Sequence, residues 1–308
     1  MRTLAATSLA LLTLILTACS GTPDPTITTG PLNGNWQINM LQQYPTQTPL
    51  SASGFIAQAD DAIEGSIQVA PVGAKSSCGG VSAMTGTISG QNVTFSLNEG
   101  GSVVNFTGTI SSNNQSMSGD YQAIGGACFT TATSGTWDAV LVPPLNGNFT
   151  GTIDSTYMEL VDGVTTPVPV SVSGSFTQSS NAGASNASIA GTITAVGYPC
   201  FTTASLSGTI SGESVYLDVF GDNGELIGTL GAPAGTAGST GTPANVVLSS
   251  SGPSLVGGTI SDPGLGGLYI GINNGKSVVG PCPAITSSGN TSTSDDAFVD
   301  LSFKQPAQ

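Results

Sequence analysis

A hexapeptide and the cysteine ahead of it occur twice at identical spacing, and that repetition limits what the chain can become. Cys78 precedes Thr-Gly-Thr-Ile-Ser-Gly at Thr85–Gly90, and Cys200 precedes Ser-Gly-Thr-Ile-Ser-Gly at Ser207–Gly212. A second matched pair opens each copy, Leu32-Asn33-Gly34-Asn35-Trp36 and Leu145-Asn146-Gly147-Asn148-Phe149. A duplication on this scale predicts two modules of one kind, each long enough to bury its own core.

Within each copy the apolar residues recur at every second position. Trp36, Ile38 and Met40 alternate with Asn35, Gln37 and Asn39, and Val93, Phe95 and Leu97 match Val215, Leu217 and Val219 of the second copy. That period belongs to strands with one buried face. Further strands are expected at Ser53–Gln58, Ala62–Val69, Ala83–Ile88, Asn92–Leu97, Ser102–Ile110, Met117–Gln122 and Thr133–Val142. The joins between them are short and rich in turn formers, among them Asp60-Asp61 and Glu99-Gly100-Gly101. No stretch after the leader has helical periodicity with caps, so crossover helices and a parallel sheet are not expected. The predicted class is all-β, two tandem antiparallel meanders that hide their edges by closing into barrels, with β-sandwiches as the competing architecture. The second copy carries ten expected strands and three longer connections, Met158–Pro169, Ala232–Pro243 and Gly275–Asp296, where a specialised role would be sought.

Charge excludes two classes of partner. The 308 residues carry 18 acidic against four basic side chains and no histidine, a formal charge of −14. Beyond Arg2 the cations are Lys75, Lys276 and Lys304, too few to displace counterions from nucleic acid or to hold an anionic lipid surface. The same shortage of bases removes the usual Ser-His and Cys-His nucleophiles.

The N-terminus gives a compartment. Arg2 precedes an apolar run, Leu4–Leu16, too short to span a bilayer as a mature helix. Leu16-Thr17-Ala18-Cys19 resembles the bacterial lipobox. The resemblance implies cleavage after residue 18, acylation of Cys19 and, with Ser20 rather than Asp following, sorting to the outer membrane. Residues 1–18 are then the lipoprotein signal peptide, 19–31 a lipidated tether containing Pro23, Pro25 and Pro31, 32–144 the first β domain and 145–308 the second. Pro143-Pro144 leaves almost no linker, so the two domains are expected to pack closely.

Four cysteines remain in an exported chain, and an even number reads as disulfides. The duplication selects Cys78–Cys128 and Cys200–Cys282, one bridge per copy. A zinc site is disfavoured by the missing histidines and Cys-x-x-Cys spacings, and no metal or cofactor is expected.

The remaining chemistry is oxygen-rich. Asp120, Asp138, Glu159, Glu213 and Asp218 are the carboxylates available for glycoside hydrolysis. Asp60-Asp61 with Glu64, Asp222-Asn223-Gly224-Glu225 and Asp295-Asp296 are compact oxygen clusters, none with the spacing of a calcium loop. Trp36, Phe106, Tyr121 and Trp137 either fill a barrel or line a cavity, and Tyr44, Tyr157, Tyr198 and Tyr269 sit in or near loops where aromatic faces stack on sugars.

Gly34-Asn35-Trp36 in the first strand and Gly135-Thr136-Trp137 in the last resemble the Gly-x-Trp of the calycin group, the lipocalins and avidins, which implies a barrel in which those two strands are neighbours. The lipobox followed by tandem Gly/Thr/Ser-rich β modules is similar to bacterial envelope lipoproteins of unassigned activity. The expected function is therefore a lipid-anchored, non-enzymatic envelope protein acting as a binding or structural surface module, with the membrane and an envelope polysaccharide, protein or small molecule as partners. A small-molecule carrier with a lipocalin-like cavity is the alternative, and a carboxylate-based hydrolase the third reading.

Overall fold

The first copy forms eight antiparallel strands, β1 (Gly34–Tyr44), β2 (Thr48–Ala59), β3 (Ala62–Val69), β4 (Gly80–Ser89), β5 (Asn92–Glu99), β6 (Ser102–Ile110), β7 (Ser116–Ile124) and β8 (Thr133–Val142). Each pairs with the next, and β8 returns to β1 to close a barrel. The computed structural model describes residues 30–303 except for 45–46, 70–78, 127, 130–131, 155–157, 162–163, 168–169, 180–183, 197–200, 222–223, 225, 231–243, 250–251, 262–265, 274–275 and 284–296. Among the described residues there is no helix.

Closure follows from the alternation. Along β5 and β6, Val93, Phe95, Leu97, Val104 and Phe106 point inward and are buried, while Thr94, Asn105 and Thr107 between them are exposed. A sheet with one apolar face must cover it, and curling the meander on itself does so without leaving an edge. The outward positions of the first barrel are mostly polar, with Leu41, Val81, Val103 and Ile124 the exposed large apolar side chains among them. Here the outer faces of β4 to β7 present Thr85, Thr87, Thr94, Asn105, Thr107, Thr109, Ser118 and Gln122 to water.

The motif that opens each copy seals one end of its barrel. Leu32 is fully buried, and its N–H donates to the Gln58 Oε1 at 3.1 Å, while the Gln58 N–H donates to the Asn33 Oδ1. The second copy repeats both bonds, Leu145 N–H to the Gln178 Oε1 at 2.9 Å and Gln178 N–H to the Asn146 Oδ1 at 2.7 Å. In both copies the buried Leu of the Leu-Asn pair is held by the same two bonds.

The second copy follows the same plan with interruptions. Its strands are β9 (Gly147–Asp154), β10 (Met158–Val161), β11 (Val164–Pro167), β12 (Val170–Gln178), β13 (Ala187–Ala195), β14 (Thr203–Ser211), β15 (Ser214–Phe220), β16 (Leu226–Leu230), β17 (Ala244–Ser249), β18 (Gly252–Ser261), β19 (Gly266–Asn273), β20 (Lys276–Pro283) and β21 (Ala297–Phe303). Nine of them form one sheet, and its strands β14 and β15 also pair with each other. Followed round, the pairings run β9, β12, β13, β14, β15, β16, β18, β21 and back to β9. Strands β16 and β17 share one place in this ring. Leu217–Phe220 of β15 pairs with β16, and Ser214-Val215 pairs with β17. Together they are the sixth strand of the barrel plan, cut by residues 231–243.

Two of the expected long connections are in fact strands. Met158–Pro169 contains the hairpin β10–β11, and Gly275–Asp296 contains β20. These pair through Met158↔Val279 into a separate four-stranded sheet, β11-β10-β20-β19. Pro281 and Pro283 lie within β20, and residues that cannot donate to a ladder are what made the segment read as loop.

Candidate functional site

The interior of the first barrel is packed with aromatic rings. Phe95 stacks on Phe106 at 4.4 Å between centroids, and Trp137 stands edge-on to both at 5.2 and 5.7 Å. Tyr121 adds a tilted contact to Phe106 at 5.8 Å. Such pairs contribute about 0.5–1.5 kcal/mol each beyond the area they bury. Room for the indole comes from the backbone, because a Cβ on Gly108 would lie 2.8 Å from the Trp137 Cζ2. The Trp137 Nε1 donates to the Thr107 and Asp120 carbonyls at 3.2 Å, and the Trp36 Nε1 donates to the Leu32 carbonyl at 2.9 Å. The two tryptophans lie on neighbouring strands, as their Gly-x-Trp settings implied, with Met40 opposite Trp137 and Leu141 opposite Trp36. In the second copy Phe149 takes the place of Trp36 and stacks on Phe176 at 4.9 Å.

The opposite end of this barrel is polar. Alternation along β5 carries past Leu97 to Glu99, which ends the strand facing inward and is only 4% exposed. The sequence reading placed Glu99 in a turn; the turn consists of Gly100 and Gly101, whose φ of +55° and +81° glycine tolerates. Ser102 lies directly across from Glu99 and is fully buried. Ser82, Gln42 and Thr133 are also buried at inward positions. The chain after β7 crosses this end, with Cys128 and Phe129 N–H groups donating to the Ser102 Oγ at 3.3 and 3.4 Å, and the Phe129 ring joins the core. The Glu99 Oε1 and the Tyr121 hydroxyl are buried and find no hydrogen-bond partner among the described residues. Burial lifts the Glu99 carboxyl to about 7 and the Tyr121 hydroxyl to about 12.

The joint between the two copies is built from the repeated hexapeptide. Gly212 ends its second occurrence, in the β14–β15 turn, and seats against the outer face of β1 and β2. Asn35 clamps it from both sides, Nδ2 donating to the Gly212 carbonyl at 2.8 Å and Oδ1 accepting from its N–H at 2.7 Å. The Glu213 N–H donates to the Gln37 Oε1 at 3.2 Å, the Ser53 and Ser211 hydroxyls lie 2.7 Å apart, and the Phe55 N–H donates to the Ala184 carbonyl at 2.9 Å. Phe55, on an outward position of its strand, is buried within the core of the second copy. Asn35, Gln37 and Ser53 are therefore buried although they lie on the outer face of the barrel. The counterpart turn in the first copy, Ser89-Gly90-Gln91, is exposed.

Among the described residues, none of the carboxylates that sequence offered for hydrolysis faces into a barrel. Asp120 and Asp138 are exposed on the convex outer face of β7 and β8, where Asp138 accepts from the Asn39 Nδ2 at 3.2 Å. Asp218 accepts from the Tyr216 hydroxyl at 2.7 Å on the outer face of β15; burial, that bond and the Asp218 charge hold the phenol at about 12. Glu213 belongs to the joint, and burial raises its carboxyl. Asp60-Asp61 is the two-residue turn of the β2–β3 hairpin, with Asp60 at φ +53°, and both it and Glu64 are exposed. Among the described residues no three acidic, cysteine or histidine side chains converge to hold a metal ion.

Other expected site residues lie outside the described residues. These are Cys19, Cys78, Cys200, Tyr157, Tyr198, Asp222, Asn223, Glu225, Asp295 and Asp296, and the side chains of Tyr44, Glu159, Tyr269 and Cys282. Cys128 is held in a disulfide. Compared with known proteins, the chain matches no family, no curated protein and no solved structure.

Proposed function

We propose that this chain is a lipid-anchored, non-enzymatic protein of a bacterial cell envelope, a surface module whose two β units are presented together to another envelope component. The observation that carries this reading is the packed interior of the first barrel. Trp36, Phe95, Phe106 and Trp137 occupy the space a lipocalin-like carrier keeps for its ligand. The scattered carboxylates argue in the same direction, because glycoside hydrolysis needs two facing across a cleft.

The lipobox Leu16-Thr17-Ala18-Cys19 supports acylation of Cys19 and placement at the outer membrane. Several acyl chains on one residue anchor stably, each buried methylene adding about 0.8 kcal/mol. Repeat spacing supports the pairings Cys78–Cys128 and Cys200–Cys282.

Labelled palmitate fed to bacteria expressing the full chain tests the anchor. The expected result is label on the wild-type protein in the membrane fraction and none on Cys19→Ser. A wild-type protein that is exported without label overturns the reading.

A further inference from the structure

The turn that makes the joint has an exposed twin, and so has the face that receives it. Ser211 and Gly212 are buried where they enter the outer face of β1 and β2, with Gly212 at φ +56°. Ser89-Gly90-Gln91 is the same turn in the first copy, with Gly90 at φ +61° and all three residues exposed. The receiving face recurs as well. In the first copy Asn35 lies opposite Phe55 and Gln37 opposite Ser53; in the second, Asn148 lies opposite Ser175 and Thr150 opposite Ser173. Asn148 thus holds the place of Asn35, and Ser173 that of Ser53. Asn35, Gln37 and Ser53 are buried, whereas Asn148, Thr150 and Ser173 are exposed. Among the described residues no hydrogen bond engages those three exposed side chains.

We propose that the Ser89–Gln91 turn of one molecule docks on the β9–β12 face of a second copy of this chain, with Asn148 clamping Gly90 as Asn35 clamps Gly212. The intrachain joint is the template that selects this partner. Three groups of its turn carry the contact: the Gly212 N–H and carbonyl, bonded to Asn35 at 2.7 and 2.8 Å, and the Ser211 hydroxyl, 2.7 Å from that of Ser53. The second pair of surfaces keeps all of these groups, Ser89 and Gly90 on the turn and Asn148 and Ser173 on the face. A carboxamide offers a donor and an acceptor together, which is what a glycine N–H and carbonyl require. Some of the joint is not repeated. Thr150 is shorter than Gln37, and Ser175 stands where Phe55 enters the core of the second copy. The bond from the Phe55 N–H to the Ala184 carbonyl has no counterpart either, because Asp60-Asp61 alone joins β2 to β3 where residues 179–186 join β12 to β13. Contact between molecules is therefore weaker than the joint, reversible and dependent on concentration. Turn and face belong to different copies of the repeat, a heterologous arrangement that continues head to tail from one molecule to the next. The meeting groups are uncharged, so the opposing effect is the mutual repulsion of chains carrying −14, which salt screens. This docking needs the joint and not the lipid anchor, so palmitate labelling and the test below fail independently.

The test mixes two variants of the full chain, Ser89→Cys and Ser173→Cys, at equal concentration in detergent and about 0.15 M salt under mild oxidation. Docking predicts a mixed disulfide between positions 89 and 173, identified by peptide mass spectrometry, that forms at least tenfold faster than either homodimer. Adding Asn148→Ala to the Ser173→Cys chain should bring that rate down to the homodimer rate. A mixed disulfide that forms no faster than the homodimers, or just as fast with Asn148→Ala, overturns the proposal. Should a cysteine variant not fold, sedimentation of the wild-type chain decides. Its weight-average mass rises with concentration if the molecules dock, while that of Asn148→Ala stays nearer the monomer. Equal masses for the two at every concentration overturn it.

Discussion

Replacing Gly212 by alanine and, separately, Gly90 by alanine isolates what the joint contributes. Both glycines close the same Ser-Gly turn of the repeat, at φ +56° and +61°. Alanine in that left-handed region costs about 1 kcal/mol in either place. Their surroundings differ: at Gly90 an added Cβ meets nothing within 4 Å, whereas at Gly212 it would sit 2.5 Å from the Ser53 Cβ and also against the Gln37 amide. The Gln37 amide can swing aside, but the Ser53 Cβ is fixed to its strand, so the turn must lift. Lifting it strains or breaks the paired Asn35 bonds and the Glu213 to Gln37 bond, each worth about 0.5–1.5 kcal/mol. Gly212→Ala is therefore expected to lose about 2 kcal/mol more than Gly90→Ala in denaturant unfolding followed by circular dichroism. Equal losses would refute the reasoning, because they would mean that the turn bears no load from the other barrel.

Other outcomes follow from the same contacts. Phe106→Ala removes the ring that touches Phe95, Tyr121 and Trp137 and should cost about 3–5 kcal/mol, read from the denaturation midpoint. Asn33→Ala unclamps the Leu32 plug by freeing the Gln58 N–H and should cost about 1–2 kcal/mol, with faster amide exchange at Gln58 as the local readout. Glu99 has its folded midpoint raised from 4.5 to about 7 by burial, so between those values the unfolded chain releases the proton first. Stability should then fall as pH rises from about 4.5 to 7 and level off above, by on the order of 2 kcal/mol after allowance for partial solvation. Glu99→Gln should flatten that slope in a pH series of unfolding curves.

Alternation and turn chemistry made the strands of the first copy legible and left barrel and sandwich as competing ways to close them. Val93-Thr94-Phe95-Ser96-Leu97 states which face is inside and the turn residues state where strands end, while the meeting of first and last strands is seen in the β1–β8 pairing. The same alternation assigns Glu99 to the interior, but a carboxylate beside two glycines reads as turn until the strand is seen to run two residues further, from Leu97 to Glu99. The joint was hidden for a different reason. Asn35, Gln37 and Ser53 occupy outward positions where polar residues are the rule, and nothing local distinguishes a side chain that faces water from one that clamps a turn far along the chain. In the second copy the insertions broke the pattern. The sixth strand is split between β16 and β17, and β10, β11 and β20 are short or proline-bearing, so their pairing partners rather than their residues define them.

The account turns on the repeated turn being the part that locks one copy against the other, and an engineered crosslink tests that most directly. The Ser53 and Ser211 hydroxyl oxygens are in hydrogen-bond contact at 2.7 Å, so these two side chains meet across the joint, and sulfurs in their place need only a short further approach to the ~2.05 Å of a disulfide. Ser53→Cys combined with Ser211→Cys should therefore oxidise to an intrachain bridge in the native protein, identified by peptide mass spectrometry, and each single variant should give none. A double variant that stays reduced under mild oxidation while the protein remains folded would contradict the joint.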